Sequence, residues 1–181
     1  MSDIENTAEV TLNEDDIQAI CTALQDGFTP AQTAGTDQKQ LEALYSLGHS
    51  FFSSGQYKDA QTIFQSLCLF DYRDERYWMG LGACLQAQDK LDMAAEVYGM
   101  AALTTSLGDP TPLYYASLCQ LKNDDLESAD ATLTAIKLIG NPGDPKHDAI
   151  YAKANNLHEI VKERMAGVAS SQGGSPKEVG Q

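Results

Sequence analysis

The amino-acid sequence repeats an apolar pattern with a period of 34 residues, and this period restricts the fold more than any other feature. The pattern consists of a small, a small and a large residue, at Gly48, Ala60 and Phe64, then Gly82, Ala94 and Tyr98, then Ala116, Ala129 and Leu133. The third copy carries one extra residue in the turn near residues 122–125. Repeats of about 20–50 residues indicate units that bury their apolar faces only by stacking on one another.

This pattern resembles the tetratricopeptide repeat, a helical hairpin of about 34 residues, over residues 41–139. The resemblance is stronger in the first two copies than in the third. It implies an all-α chain with three tetratricopeptide-like helical hairpins in a right-handed superhelix, with a further helix at each end.

The hairpins are expected to occupy residues 37–140. The other expected segments are a disordered N-terminus at 1–10, an N-terminal helix and loop at 11–36, a C-terminal helix at 141–166 and a disordered tail at 167–181. In the N-terminal helix, Ile17, Ile20 and Leu24 share one face. These residues are candidate dimer contacts, although the helix could instead cap the repeat stack.

The composition is acidic, with 12 Lys and Arg against 26 Asp and Glu and a formal charge of −14. Such a field repels phosphate, so nucleic acid and anionic membrane surfaces are poor partners. Since no run approaches the roughly 20 apolar residues of a membrane-spanning helix, direct membrane insertion is not expected. The acidic N-terminus lacks the pattern of a signal peptide, and the four scattered cysteines are expected to be reduced thiols.

The sequence contains no pattern that predicts catalysis. His49, His147 and His158 are far apart and lack partners at metal-ligand spacing, and neither a nucleotide-binding nor a hydrolase motif occurs. Acidic pairs at predicted helix starts are interpreted as caps. We therefore expect no enzymatic activity, no metal and no cofactor.

The first helix of each hairpin is expected to line a concave groove for an extended peptide of about six residues. The inward positions, read from the period, are Tyr45, His49 and Phe52, then Met79, Ala83 and Gln86, then Leu113, Ser117 and Gln120, with Tyr72 and Arg76 near the second hairpin's entrance. Tyr45 and Phe52 could instead pack against the N-terminal helix as core. The lysines and asparagines of a carboxylate-binding clamp are missing from these positions.

Four segments extend the likeness beyond a generic repeat, at residues 41–47, 54–60, 64–68 and 77–87, the last including Leu81-Gly82-Ala83-Cys84. They closely resemble the class II chaperones of type III secretion systems, the SycD/LcrH family. The resemblance implies an ATP-independent chaperone in the bacterial cytoplasm that binds hydrophobic translocator proteins. An extended translocator segment would lie in the concave groove and keep the cargo soluble and competent for export.

Residue by residue, the resemblance matches groove-side or groove-shaping positions to Tyr45, His49, Phe52, Tyr72 and Leu81. It also implies frequent dimerisation through the N-terminal region, and hence a homodimer here. The alternative function is a tetratricopeptide-repeat scaffold or adaptor that assembles a secretion-related complex.

Overall fold

The computed structural model describes residues 18–19, 22–23, 25–139 and 144–172, and regular structure within these ranges is helical throughout. The helices are α1 Pro30–Thr33, α2 Gln38–Ser53, α3 Tyr57–Phe70, α4 Glu75–Ala87, α5 Leu91–Thr104, α6 Thr111–Lys122, α7 Leu126–Leu138 and α8 Asp148–Gln172. The pairs α2/α3, α4/α5 and α6/α7 are three successive hairpins, and α8 packs on α7. The prediction of an all-α chain of three tetratricopeptide-like hairpins is confirmed.

Aspartate side chains cap the starts of three helices. The carboxylates of Asp37, Asp74 and Asp125 accept backbone N–H groups in the first turns of α2, α4 and α7, at 3.1, 2.9 and 3.0 Å. Each such bond satisfies a donor that has no partner inside the helix. The turn after α2 uses Gly55 at φ +80°, a left-handed conformation that glycine adopts without strain.

The small and large residues of the repeat meet between paired helices. A Cβ atom on Gly48 would lie 3.1 Å from the Phe64 ring, and one on Gly82 would lie 2.7 Å from the Tyr98 ring. Ala60 is fully buried on the facing helix. The helices therefore approach closely where a ring of one covers the bare backbone of the other.

The C-terminal helix differs from the prediction at both ends. It begins at Asp148, after a turn at 145–147, and continues through Gln172 instead of stopping at 166. Gly167 does not end it, because a glycine inside a helix costs only about 1 kcal/mol relative to alanine. The expectation of disorder from 167 was therefore wrong for 167–172, and 173–181 lie outside the described residues.

Of the expected N-terminal helix, the structure describes residues 18–19, 22–23 and 25, which are helical. Ile17, Ile20 and Leu24 lie outside the described residues, as does the segment 1–10. The expected loop before the first hairpin contains the short helix α1, whose start is a capping box. There the Thr29 hydroxyl accepts the Gln32 N–H, and the Gln32 side chain accepts the Thr29 N–H.

Helix α8 closes the open end of the third hairpin. Leu157 and Val161 of α8 pack with Leu133 and Ile136 of α7 in one apolar cluster. Beside them, Nε2 of the buried His158 forms a 2.8 Å hydrogen bond with the Asp130 carboxylate. The last hairpin thus buries the face that no further repeat covers.

Candidate functional site: a groove of two pockets

The first pocket opens between the first two hairpins and encloses about 360 Å³. Its walls are Tyr45, His49 and Phe52 of α2, Phe64 of α3, and Glu75, Arg76, Met79, Gly80 and Ala83 of α4. The three α2 residues follow the i, i+4, i+7 spacing of one helix face, as predicted. The structure brings six of the sequence-predicted groove residues together here, namely Tyr45, His49, Phe52, Arg76, Met79 and Ala83.

Aromatic rings form the floor and one wall of this first pocket. His49 Nε2 and the Tyr45 hydroxyl lie 3.0 Å apart in a hydrogen bond. The His49 ring meets the Phe64 ring edge to face, at 5.9 Å between centroids. Phe64 reaches the pocket because Gly80 leaves room for it, since a Cβ there would lie 2.5 Å from the ring. The pocket is therefore an apolar, aromatic surface with fixed ring orientations.

Arg76 forms part of the wall and is fully engaged by neighbouring carboxylates. Its Nη2 lies 2.6 Å from both the Glu42 and the Asp74 carboxylates, and its guanidinium lies 4.9 Å from the Tyr45 ring centroid. Hydrogen bonds to Asp74 and then to Glu42 raise the pKa of Arg76, while the Arg76 hydrogen bond lowers the pKa of Glu42. Arg76 therefore holds α2 against α4 and does not present a free cation to a ligand.

A second pocket of about 500 Å³ continues from the first towards the third hairpin. Its lining is Phe52, Met79, Ala83, Gln86, Ala87, Tyr98, Tyr115 and Lys122. Here the Tyr98 hydroxyl donates to Gln86 Oε1 at 2.9 Å, and its ring stacks on Tyr115 at 5.5 Å. Burial raises the pKa of Tyr98, so this hydroxyl stays protonated and remains a donor. Because Phe52, Met79 and Ala83 line both pockets, the two form one groove.

In the third hairpin, the positions predicted to face inward do not line either pocket. Leu113 is half-buried against the α7–α8 cluster, and Ser117 is buried with its hydroxyl donating to the Tyr114 carbonyl at 2.7 Å. Gln120 is half-buried and keeps its Oε1 away from solvent.

The position that follows Gly80 by one period is occupied by Tyr114. A tyrosine cannot approach the facing ring as closely as Gly80 approaches Phe64. Helix α6 presents Tyr115 and Lys122 to the groove.

Two further sequence-predicted residues lie away from the groove. Leu81 is 5% exposed and belongs to the core cluster. Tyr72 lies in the turn between α3 and α4, outside both pockets, where its carbonyl accepts the Trp78 indole N–H at 2.8 Å. Neither side chain lines the groove. Leu81 does anchor in the core the same helix, α4, that carries Met79 and Ala83.

Seven residues that line the groove were not predicted from the sequence: Phe64, Glu75, Gly80, Ala87, Tyr98, Tyr115 and Lys122. In the sequence, Phe64 and Tyr98 stand out only as the large residues of the repeat pattern. The seven-residue spacing of Tyr115 and Lys122 was a usable signal, because it places both on one face of α6.

Within the described ranges, no cluster of three or more histidine, cysteine or acidic side chains could hold a metal ion. In the same part of the chain, no helix is both long and apolar enough to cross a membrane.

Known proteins that are similar to this chain in sequence or structure include proteins of type III secretion systems. The family model for the tetratricopeptide repeat matches residues 41–72 and 77–103. The low calcium response locus protein H of Yersinia pseudotuberculosis is 33% identical over 140 residues, covering 77% of this chain and 82% of the relative.

Two solved structures are similar over most of the chain. A type III secretion complex from Aeromonas hydrophila has a TM-score of 0.75 and 32% identity, over 82% of this chain and 98% of its own. The Yersinia enterocolitica type III secretion chaperone SycD, in complex with a peptide of the translocator YopD, has a TM-score of 0.64 and 30% identity, over 71% and 97%.

Proposed function

This chain belongs to the SycD/LcrH family of type III secretion chaperones, and we propose that its groove binds an extended segment of a hydrophobic translocator protein. Binding would keep the translocator soluble and ready for export, without ATP and without catalysis. The proposed site of action is the bacterial cytoplasm. Support comes from the related SycD structure, which contains a translocator peptide.

The observation that carries the proposal is the continuity of the two pockets. Phe52, Met79 and Ala83 border both, so one extended strand could place side chains in each. In such a strand, residues two apart point the same way and are separated by about 6–7 Å. The expected ligand is therefore a short extended segment with apolar side chains facing the groove.

Homodimer formation through Ile17, Ile20 and Leu24 is a second part of the proposal. Its support is the shared helical face of these three apolar residues in the sequence.

Ala83→Glu tests the groove with little risk to the core. Ala83 is half-buried and borders both pockets, so a glutamate there would fill space and place a carboxylate against apolar walls. Ala131→Glu, on the exposed face of α7, is the matched control. Each variant is expressed with a tag in the native bacterium, and proteins that copurify are identified by mass spectrometry. Synthetic segments of the captured protein are then titrated by fluorescence polarisation.

We expect the wild type and Ala131→Glu to retain one secreted, apolar protein in near-equal amount. Ala83→Glu should bind its segment about tenfold or more weakly, because the new side chain would occupy the groove and its carboxylate would lose water when an apolar segment binds. Circular dichroism checks that the helix content is unchanged. Equal binding by Ala83→Glu would refute the groove, and capture of secretion-apparatus components alone would favour the scaffold.

A further inference from the structure

Glu75 is the acidic side chain that faces the first pocket, in the first turn of α4. It is half-buried, and its carboxylate forms no ion pair with any lysine, arginine or histidine among the described residues. The adjacent Arg76 cannot neutralise it, because that guanidinium is engaged by Glu42 and Asp74. The pocket thus combines an apolar floor with one carboxylate that has no ion-pair partner among the described residues.

The surroundings of Glu75 make that charge costly. Burial raises the pKa of Glu75, and the nearby Asp109 carboxylate raises it further, with a smaller contribution from Asp74. Lys146 and His147 act in the opposite direction but lie too far away for an ion pair. A cation placed at the pocket would relieve both the desolvation and the repulsion between carboxylates.

We propose that Glu75 is a specificity-determining residue, which selects a lysine or arginine in the bound segment beside the apolar side chain that fills the first pocket. The geometry supports this pairing, since Glu75 and Met79 are four residues apart on one face of α4. A basic side chain has an apolar stem that can follow the pocket wall to the carboxylate. The net charge of −14 adds a long-range attraction for such a segment.

This inference rests on the proposed function, because it concerns the same groove. The test uses an array of ten-residue peptides with a fixed central leucine, in which each other position carries Lys, Arg, Gln or Glu in turn. The array is probed with the full-length wild type, Glu75→Gln and Glu75→Lys. Glu163→Gln, which removes an exposed carboxylate on α8 away from the groove, is the matched control.

We expect the wild type and Glu163→Gln to prefer Lys or Arg over Gln at one position near the leucine by about fivefold, the upper range for a partly exposed ion pair. Glu75→Gln should abolish this preference while still binding leucine peptides, and Glu75→Lys should favour Glu there. Apolar binding without a basic preference, or a preference that survives Glu75→Gln, would overturn the role of Glu75 alone. Failure of the wild type to bind any peptide would overturn the groove proposal and this inference with it.

Discussion

Gly82→Ala probes the close approach of α4 and α5 within the second hairpin. Gly82 lies in the middle of α4, and an added Cβ would be 2.7, 2.8 and 3.0 Å from three carbons of the Tyr98 ring. Tyr98 is 2% exposed, its ring stacks on Tyr115, and its hydroxyl donates a hydrogen bond to Gln86. The ring therefore cannot move aside without disturbing the wall of the second pocket.

Two opposing effects determine the size of the change. Replacing glycine by alanine inside a helix stabilises the helix by about 1 kcal/mol. Overpacking a tight core contact costs about 1–3 kcal/mol, and loss of the Tyr98–Gln86 hydrogen bond would cost about 1 kcal/mol more. We expect a net loss of about 1–3 kcal/mol in the free energy of unfolding. For a chain of this size, that lowers the melting temperature by roughly 2–12 °C.

Gly99→Ala is the matched control, since it makes the same chemical change inside α5. Apart from its chain neighbours and the backbone of its own helix, no described atom lies within 4 Å of a Cβ built at Gly99. Only the helix-propensity gain therefore applies, and stability should rise by about 0.5–1 kcal/mol. Urea unfolding followed by circular dichroism measures both variants. If Gly82→Ala were as stable as Gly99→Ala, the argument that this position requires glycine would be wrong.

Two further outcomes are expected. His158→Ala removes a buried side chain and its 2.8 Å hydrogen bond to Asp130. It should therefore lower the free energy of unfolding in urea by about 2 kcal/mol and speed hydrogen exchange in α8. An effect no larger than that of Asn156→Ala, at an exposed position of α8, would contradict this. Burial raises the pKa of the Cys68 thiol to about 12 and those of Cys84 and Cys119 to about 11, so at about pH 8 these thiols should react with a disulfide reagent only as fast as the chain unfolds. Rapid labelling of folded protein at these three cysteines would refute their burial. The raised thiol pKa values also make stability depend on pH. Their contribution is fully present below about pH 9 and is lost as the pH rises through about 11–12.

The first two hairpins show how far periodicity carries a prediction. Tyr45, His49 and Phe52 were placed on one face by spacing alone, and adding one period reached Met79, Ala83 and Gln86, which also line the groove. The same step failed in α6. Translation by the period assumes equal helix packing, and the third hairpin departs from the second at this level, with Tyr114 in the place of Gly80.

The charged residues of the groove show a second limit. Arg76 was predicted as a groove residue from its position, and it does line the first pocket. Its pairing with Glu42, 34 residues away, depends on the spacing between α2 and α4, which the sequence does not state. Glu75 has no ion-pair partner among the described residues. Which charge is free for a ligand therefore became visible only in the three-dimensional structure.

The sequence by itself determined the helical hairpins, their number and their stacking surfaces. It could do so because small and large residues at a fixed period specify which faces must be buried. Only the tertiary structure decided the shape of the groove and the charge that it offers. The pocket walls are formed by side chains of different helices. Their positions depend on differences of about a few tenths of an ångström in contact distance, as where Phe64 packs on Gly80.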